Sequence, residues 1–234
     1  MTQPPRLWNP DRRGTLIVGD PRFGTHYLQS IVRDHVSATR PYDQNGEIDL
    51  APIVNWPRFV RDKLQEMESR ESYQIAIVNS VVAKTELIAH PEMLDRWHVI
   101  RLTRKDKISW FRSWALFFMH EHSEHNSGRA SLLHHGTPQD AYVQSLADHG
   151  PVLLDAQNIN QVGGNLGLQV LSFLVSADEE IDFDDLPGLQ TQHTWWKGNH
   201  YPDMGMDEMF SNYQEVEALL RLWDGLNLAG SFRR

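Results

Sequence analysis

The sequence of 234 residues contains no cysteine. Disulfides, zinc–thiolate sites, iron–sulfur clusters and thiol nucleophiles are therefore excluded, and the composition fits a reducing compartment. The first thirteen residues are polar and proline-rich and lack the apolar run of a signal peptide. No stretch approaches the roughly 18 consecutive apolar residues of a membrane-spanning helix. We therefore expect a cytoplasmic protein without a membrane span.

Positive charge is scarce and unevenly distributed. Lys and Arg number 22 against 31 Asp and Glu, which gives a net charge of -9 and argues against a general nucleic-acid-binding surface. Residues 1–112 hold 17 basic and 14 acidic residues, whereas residues 113–234 hold 5 basic and 17 acidic residues. If the protein binds an anion, the first half is where we expect the site.

Short apolar runs alternate with segments of helical periodicity along the chain. This alternation predicts an α/β fold with a mainly parallel sheet flanked by helices on both faces. We expect an N-terminal arm over residues 1–13 and a single domain over residues 14–234. The predicted strands are 15–18, 73–78, 98–103 and 151–155; the predicted helices are 25–37, 57–70, 85–96, 106–120, 138–149, 166–175 and 212–226; the stretch around 41–52 and the acidic segment 178–185 are predicted as loops.

Residues 19–24, called the glycine loop here, lie between the first predicted strand and the first predicted helix. The two end glycines have the spacing of a nucleotide-binding P-loop, and backbone N–H groups at a helix start suit an anion. Thr25 and His26 stand where a P-loop has Lys and then Ser or Thr, so a triphosphate with magnesium is poorly served. Arg22 supplies positive charge instead. The pattern indicates a site for one phosphate group without a metal; a tight turn is the alternative.

A second basic element, residues 101–107, is called the basic turn here. It runs from a predicted strand into a helix that carries Ser109 and Ser113. Basic residues at a helix N-terminus are unfavourable for the helix dipole, so the cluster predicts a counter-anion. A forked guanidinium and a hydroxyl are suitable donors for phosphate oxygens. A solvated helix start is the alternative.

The stretch Pro-Arg-Phe-Gly-Thr-His-Tyr-Leu at residues 21–28 resembles the Pro-Arg-Ser-Gly-Thr-Thr-x-Leu loop of sulfotransferases. The resemblance covers residues 15–37 and 98–118, and it implies the P-loop nucleoside-triphosphate-hydrolase-like sulfotransferase fold. It also implies 3′-phosphoadenosine 5′-phosphosulfate (PAPS) as the donor, with no metal required. Phe23 and His26 depart from the family, since each replaces a hydroxyl residue. The residues that would hold the 5′ phosphosulfate are Arg22, Gly24, Thr25, His26 and Tyr27.

In this family an Arg at the end of a strand and a Ser on the next helix hold the 3′ phosphate. Two registers fit the basic turn. Arg104 with Ser113 resembles the bacterial glycolipid sulfotransferases, and Arg101 with Ser109 has the spacing of the glycosaminoglycan and cytosolic types. We prefer the first register because Arg104 lies just past the apolar run, whereas Arg101 lies within it.

Related enzymes supply a catalytic Glu shortly after the first helix, and Glu47 is the candidate here. The implied reaction is in-line attack of an acceptor hydroxyl on sulfur. Glu47 would act as the base, and Arg22 would stabilise the departing adenosine 3′,5′-bisphosphate. An exposed loop carboxylate is the alternative for Glu47. Sugar, lipid, peptide and small alcohol acceptors all remain open, as does a homo-oligomer.

Two other functions are compatible with the sequence. A kinase-like nucleotide phosphotransferase is weakened by the missing P-loop Lys. A catalytically inactive nucleotide-binding or assembly protein on the same fold is supported by Phe23 and His26. The histidine-rich run at residues 120–125 does not form an H-E-x-x-H motif, so no metal site is predicted there.

Overall fold

Five strands form one sheet in the computed structural model, which describes residues 5–47, 56–113, 150–151, 153–154, 156–186 and 205–225. The described strands are β1 (Gly14–Val18), β2 (Tyr42–Glu47), β3 (Tyr73–Val78), β4 (Trp97–Thr103) and β5 (Glu179–Asp182). The described helices are α1 (Thr25–Ser37), α2 (Trp56–Glu68), α3 (Val81–Ala89), α4 (described over 107–113), α5 (Ala156–Leu168), α6 (Val170–Leu174), α7 (Met206–Met209) and α8 (Tyr213–Gly225), with 3-10 turns at Pro91–Leu94 and Phe183–Asp185.

The strand order is β2-β3-β1-β4-β5, and every neighbouring pair is parallel. Strand β1 lies at the centre, where Val18 is in register with Val78 of β3 and with Arg101 of β4. The carboxyl ends of all five strands therefore meet at one edge of the sheet. This arrangement confirms the α/β class and the parallel sheet flanked by helices.

Helices cover both faces of the central strands. On one face, Leu16 and Val18 of β1 belong to a buried cluster with Leu64 of α2 and Leu87 of α3. Helix α1 packs against β1 and β3 and buries Leu28, Val32 and Val36. Because β1 and β3 are covered on both faces, all of their residues are buried and their sequences are continuously apolar over most of their length.

Three of the predicted strands are confirmed and one is wrong. The segments 15–18, 73–78 and 98–103 correspond to β1, β3 and β4. Residues 151, 153 and 154 of the fourth predicted strand lie outside any strand, and Leu153 is exposed. The apolar residues there were misleading because a run this short does not by itself establish a strand.

Strand β2 corrects the prediction of a loop around 41–52. Its sequence is polar, and side-chain amides rather than an apolar pattern hold it in place. The buried Gln29 of α1 donates from Nε2 to the carbonyl of Asn45 at 2.6 Å, and Gln44 donates to Oε1 of Gln29 at 3.1 Å. Asn45 donates to Oε1 of the buried Gln74 on β3 at 2.9 Å.

Strand β5 corrects the prediction of a solvated loop at 178–185. Acidic residues disfavour strands, but three of these side chains meet donors on β4, namely Asp178, Glu180 and Asp182. Asp178 accepts from the backbone N–H of Val99 at 2.8 Å, and Asp182 accepts from the hydroxyl of Thr103 at 3.0 Å. Residues 179–182 therefore form the edge strand of the sheet, and residues 183–185 form a 3-10 turn after it.

The start of helix α3 follows a local capping signal. Helix α3 begins at Val81, four residues before the predicted start, because the Ser80 hydroxyl accepts from the N–H of Ala83 at 3.1 Å. Helix α1 has the predicted bounds of 25–37, and α2 and α8 lie close to theirs. The predicted helix at 138–149 and the second half of the one at 106–120 lie outside the described residues.

The described part of the predicted arm, residues 5–13, packs on the sheet. The Trp8 ring meets the ring of Tyr73 edge-on at 5.7 Å, and the backbone N–H of Asn9 donates to the Tyr73 hydroxyl at 3.3 Å. Burial raises the pKa of Tyr73 above its ordinary value. The carbonyl of Arg6 lies 2.6 Å from Nε2 of His98 on β4.

The described residues divide into two compact units. One contains residues 5–105 and 167–185 with the sheet, and the other contains residues of 106–166 and 186–227. In the second unit the rings of Phe111 and Phe210 lie 5.6 Å apart, and Asn212 exchanges two hydrogen bonds with the backbone of Leu154. The single domain over 14–234 stays a prediction. None of the helices in the described ranges is long and apolar enough to cross a membrane.

The polar support of β2 gives a test of the fold. Gln29→Leu leaves the carbonyl of Asn45 without its side-chain donor and destabilises the protein by about 1–3 kcal/mol. Hydrogen exchange should show faster exchange of the β2 amides, with β1 and β3 still protected. Gln65→Leu, at an exposed site on α2, is the matched control and should leave β2 unchanged. Equal exchange in both variants would contradict this role of Gln29.

Candidate functional site

The strand order creates a topological switch point at the carboxyl edge of the sheet. After β1 the chain leads to β2 on one side of the sheet, and the described strand that follows β4 is β5 on the other side. In open parallel sheets, ligands bind at the point where neighbouring strands lead away in opposite directions. The glycine loop follows β1 and the basic turn includes the end of β4, so both predicted phosphate elements lie at this point.

The backbone of the glycine loop explains its two end glycines. Gly24 precedes α1 with a φ of 87°, and a Cβ on Gly19 would lie 2.6 Å from Cγ2 of Thr25. Arg22 has a φ of 68° and is the only non-glycine residue with positive φ in the described part of the chain. That conformation costs about 1–2 kcal/mol per residue. Strain of this kind concentrates at functional sites.

A buried ion pair fixes the position of the glycine loop. Nζ of Lys84 on α3 lies 2.6 Å from Oδ1 of Asp20, and the two side chains are 1% and 7% exposed. The Ser172 hydroxyl on α6 donates to the other carboxylate oxygen at 2.9 Å. Sequence reasoning missed Lys84 and Ser172 because both are distant in sequence and lie within ordinary helical segments. An Asp inside a P-loop-like turn is the signal that could have pointed to a buried partner.

Arg104 connects the two predicted phosphate elements. Its Nη1 donates to the carbonyl of Arg22 at 2.9 Å, so the end of β4 contacts the glycine loop directly. The guanidinium stacks over the ring of Phe183 at 4.8 Å, and its Nε lies 3.8 Å from Oδ1 of Asp184. The side chain is 11% exposed, which places the guanidinium in a partly desolvated position where it attracts anions strongly.

Arg101 has a structural environment instead. Its guanidinium donates to the carbonyls of Ser172 at 2.9 Å and Val175 at 2.7 Å, and it pairs with Glu180 at 3.0 Å. These bonds attach β4 to α6 and β5. Of the two arginines in the predicted registers, Arg104 is therefore the better candidate for binding a phosphate group.

The two candidate serines belong to the unit that contains α4. The Ser109 hydroxyl donates to Oδ2 of Asp106 at 2.6 Å, and its N–H donates to Oδ1 at 2.9 Å, so Ser109 completes the N-terminal cap of the helix. Ser113 lies one turn later on the same helix and is half-buried. Ser109 thus has a capping role, and Ser113 stays the predicted partner of Arg104.

The chain provides counter-anions for its own basic turn. Nζ of Lys105 lies 2.7 Å from Asp185 and 4.0 Å from Asp182. The hydrogen bond to Asp185, followed by the charge of Asp182, raises the pKa of Lys105 above its ordinary value. The predicted counter-anion of this cluster is therefore at least partly intramolecular, which sequence spacing could not show because the acids lie about 80 residues further along the chain.

Phe183 is a further site residue that sequence reasoning missed. A Cβ on Gly24 would lie 2.0 Å from Cε2 of this ring, and the ring of Tyr27 meets it edge-on at 6.1 Å. Phe183 therefore packs directly on the glycine loop beside Arg104. No local pattern marks this contact, since the residue lies in the acidic segment 178–185.

The remaining predicted residues surround the same edge. Thr25 is buried and accepts a hydrogen bond from Asn79 at 3.4 Å, while His26 and Tyr27 are half-buried in the first turn of α1, which carries no acidic residue. Glu47 is the last residue of β2, and its backbone is in register with Ile77. Since β2 is two strands from β1, the backbone of Glu47 lies about 10 Å from the end of β1.

Neither comparison with known proteins nor a metal-binding group among the described residues identifies the ligand of this site. No family model, no curated protein and no solved structure matches the chain. Among the described residues, no group of three or more His, Asp or Glu side chains is placed to hold a metal ion. The histidine-rich run 120–125 lies outside those residues.

The buried ion pair beneath the loop gives a stability test. Lys84→Met leaves the Asp20 carboxylate buried without its cation and should destabilise the protein by about 3–5 kcal/mol. Adding Asp20→Asn to Lys84→Met removes the unpaired charge and should recover much of that loss. Urea denaturation of the two single variants and the double variant measures the coupling. Additive losses would show that the two side chains do not interact.

Proposed function

We propose that this protein is a PAPS-dependent sulfotransferase. The observation that carries the proposal is the hydrogen bond from Nη1 of Arg104 to the carbonyl of Arg22 at 2.9 Å. It joins the two segments that resemble the phosphate-binding elements of sulfotransferases. Contact between segments about 80 residues apart is a stronger indication than either motif taken alone.

The chemistry of the edge suits an adenosine bisphosphate. The amides at the start of α1 and the Arg22 side chain would receive the 5′ phosphosulfate, since a helix N-terminus favours negative charge. Arg104 would receive the 3′ phosphate, because a guanidinium fork matches two phosphate oxygens. Lys84 pairs with Asp20 and does not replace the P-loop Lys. The site therefore favours phosphate groups bound by guanidinium and amide donors over a magnesium triphosphate.

The donor supplies an activated sulfuryl group. The protein positions this group and stabilises the negative charge that develops on the leaving group. The acceptor hydroxyl forms a new S–O bond as the bond from sulfur to the 5′ phosphate oxygen breaks. Glu47 accepts the proton of the attacking hydroxyl, and Arg22 with the loop amides stabilises the negative charge left on the bisphosphate. Alignment and charge stabilisation together account for the acceleration, as in phosphoryl transfer.

A second candidate is a catalytically inactive nucleotide-binding or assembly protein on the same fold. Two contacts favour it: Phe183 packs on Gly24, and Asp184 faces Arg104 at 3.8 Å. A phosphate bound at the glycine loop or at Arg104 would have to displace these contacts. An inactive nucleotide-binding protein would bind the cofactor without turnover, and an assembly protein would show neither, so a binding measurement must be joined to an activity measurement.

Charge changes at the loop give opposite effects on cofactor binding. Adenosine 3′,5′-bisphosphate without magnesium should stabilise the protein by about 2.7 kcal/mol at a hundred times its Kd, a rise in Tm of roughly 5–10 °C for a chain of this size. Arg22→Asn keeps a residue that tolerates positive φ but lacks the guanidinium, so the rise should shrink. Asp184→Asn removes the competing carboxylate, so the rise should grow. Thermal denaturation with and without the bisphosphate measures the rise in Tm for the wild type, Arg22→Asn and Asp184→Asn.

Arg221→Gln, on the exposed side of α8, is the matched control for the loss of one positive charge. It should reproduce the wild-type rise in Tm. Stabilisation by magnesium–ATP in preference to the bisphosphate would instead indicate a kinase-like phosphotransferase. Stabilisation by neither ligand would overturn the proposed nucleotide site.

Glu47→Ala tests the catalytic base. The variant should lose about 100-fold or more in turnover, the usual contribution of general-base catalysis, and should keep the wild-type affinity for adenosine 3′,5′-bisphosphate. Transfer of labelled sulfate from PAPS to a panel of sugar, lipid, peptide and small alcohol acceptors provides the assay. Glu71→Ala, at an exposed carboxylate just before β3, is the matched control and should keep the wild-type turnover. Unchanged turnover in Glu47→Ala would remove Glu47 from this role.

A further inference from the structure

A second cluster of positive charge lies at the opposite, amino edge of the sheet. Residues just before β1, β2 and β4 line an open cleft of about 590 Å³, here called the arginine cleft. Its lining residues are Pro10, Asp11, Arg12, Arg13, Arg40, Asp95 and Arg96. Four guanidinium groups and two carboxylates give the lining a net charge of +2, in a chain whose net charge is -9.

Three of these arginines have backbone carbonyls, rather than carboxylates, as their side-chain hydrogen-bond partners, or have none, within the ranges that the structure describes. Nη1 of Arg12 donates to the carbonyl of Asp95, and Nη1 of Arg40 donates to the carbonyl of Pro10 at 3.3 Å. Carbonyl contacts orient a guanidinium without cancelling its charge. Among the described residues, Arg12, Arg13 and Arg40 form no ion pair. The exception in the lining is Arg96, which pairs with Glu68 at 3.4 Å.

The cleft is partly pre-organised for a ligand. The Arg40 guanidinium lies 5.3 Å above the ring of Tyr73, so its position is fixed by stacking as well as by the bond to Pro10. Arg13 is exposed, and its backbone N–H donates to the carbonyl of Arg96 at 2.8 Å. Like charges held together in this way repel one another unless an anion joins them, so the cluster is stabilised by binding one.

We infer that the arginine cleft binds a small molecule carrying two or more phosphate groups. Guanidinium forks match phosphate oxygens in pairs, and a volume of about 590 Å³ is typical of small-ligand sites. The surrounding net negative charge of the protein disfavours an extended polyanion, whereas a compact anion stays within the positive lining. This site is separate from the glycine loop, because it lies at the opposite end of the strands, and it does not depend on the proposed sulfotransferase activity.

The inference is tested by calorimetric titration with inorganic pyrophosphate. Arg22→Asn serves as the background, so that the glycine loop contributes little to the signal. We expect one binding site per chain in this background. Adding Arg13→Gln should weaken the affinity about tenfold, equivalent to 1.4 kcal/mol for the loss of one charge-assisted contact. Arg12→Gln in the same background should weaken it similarly.

Arg221→Gln is again the matched control and should leave the affinity unchanged. The exposed Arg13 side chain forms no hydrogen bond or ion pair with the described residues, so Arg13→Gln should also keep the wild-type Tm, which separates lost binding from lost folding. Titrations with a hexaglutamate peptide and with vesicles containing an anionic phospholipid test whether the cleft prefers an acidic peptide or a membrane surface to a small phosphate compound. Tighter binding of either than of pyrophosphate, equal losses in Arg221→Gln, or no binding at all would overturn the inference.

Discussion

The candidate site depends on one buried ion pair beneath the glycine loop. Asp20 is held by Lys84 from α3 and by Ser172 from α6, with both charged side chains nearly inaccessible to solvent. A carboxylate buried in this way would be very unfavourable without its partners, so the loop has little freedom to move away from the end of β1. With the loop fixed there, Arg22 is kept at positive φ and its carbonyl is within reach of Arg104.

The distribution of charge follows from the topology of the sheet. The acidic half of the chain supplies β5 and the turn after it, whose carboxylates meet the basic residues at the end of β4. The carboxyl edge is thus balanced largely by the protein itself, apart from the first turn of α1. At the amino edge, Arg12, Arg13 and Arg40 have no such acidic partners in the described ranges. The net charge of -9 therefore conceals two edges with different electrostatic character.

The sequence predicted those parts of the fold in which burial dictates composition. The continuously apolar β1 and β3 and the amphipathic α1 were identifiable because a two-sided parallel sheet requires such patterns. Strands β2 and β5 were not, since amide side chains hold β2, and a long-range hydrogen bond and ion pair to β4 hold β5. The same limit applies to the site. Local spacing located the glycine loop and the basic turn, whereas the contacts of Lys84 and Phe183 arise only when distant segments fold together.

A crystal structure with adenosine 3′,5′-bisphosphate, grown without magnesium, would show where each of the two phosphate groups binds. We expect the 5′ phosphate on the amides at the start of α1 beside Arg22, and the 3′ phosphate on the Arg104 guanidinium, with Asp184 displaced from its present position. The bisphosphate found only in the arginine cleft, or a glycine loop with no bound phosphate at saturating ligand, would contradict this expectation.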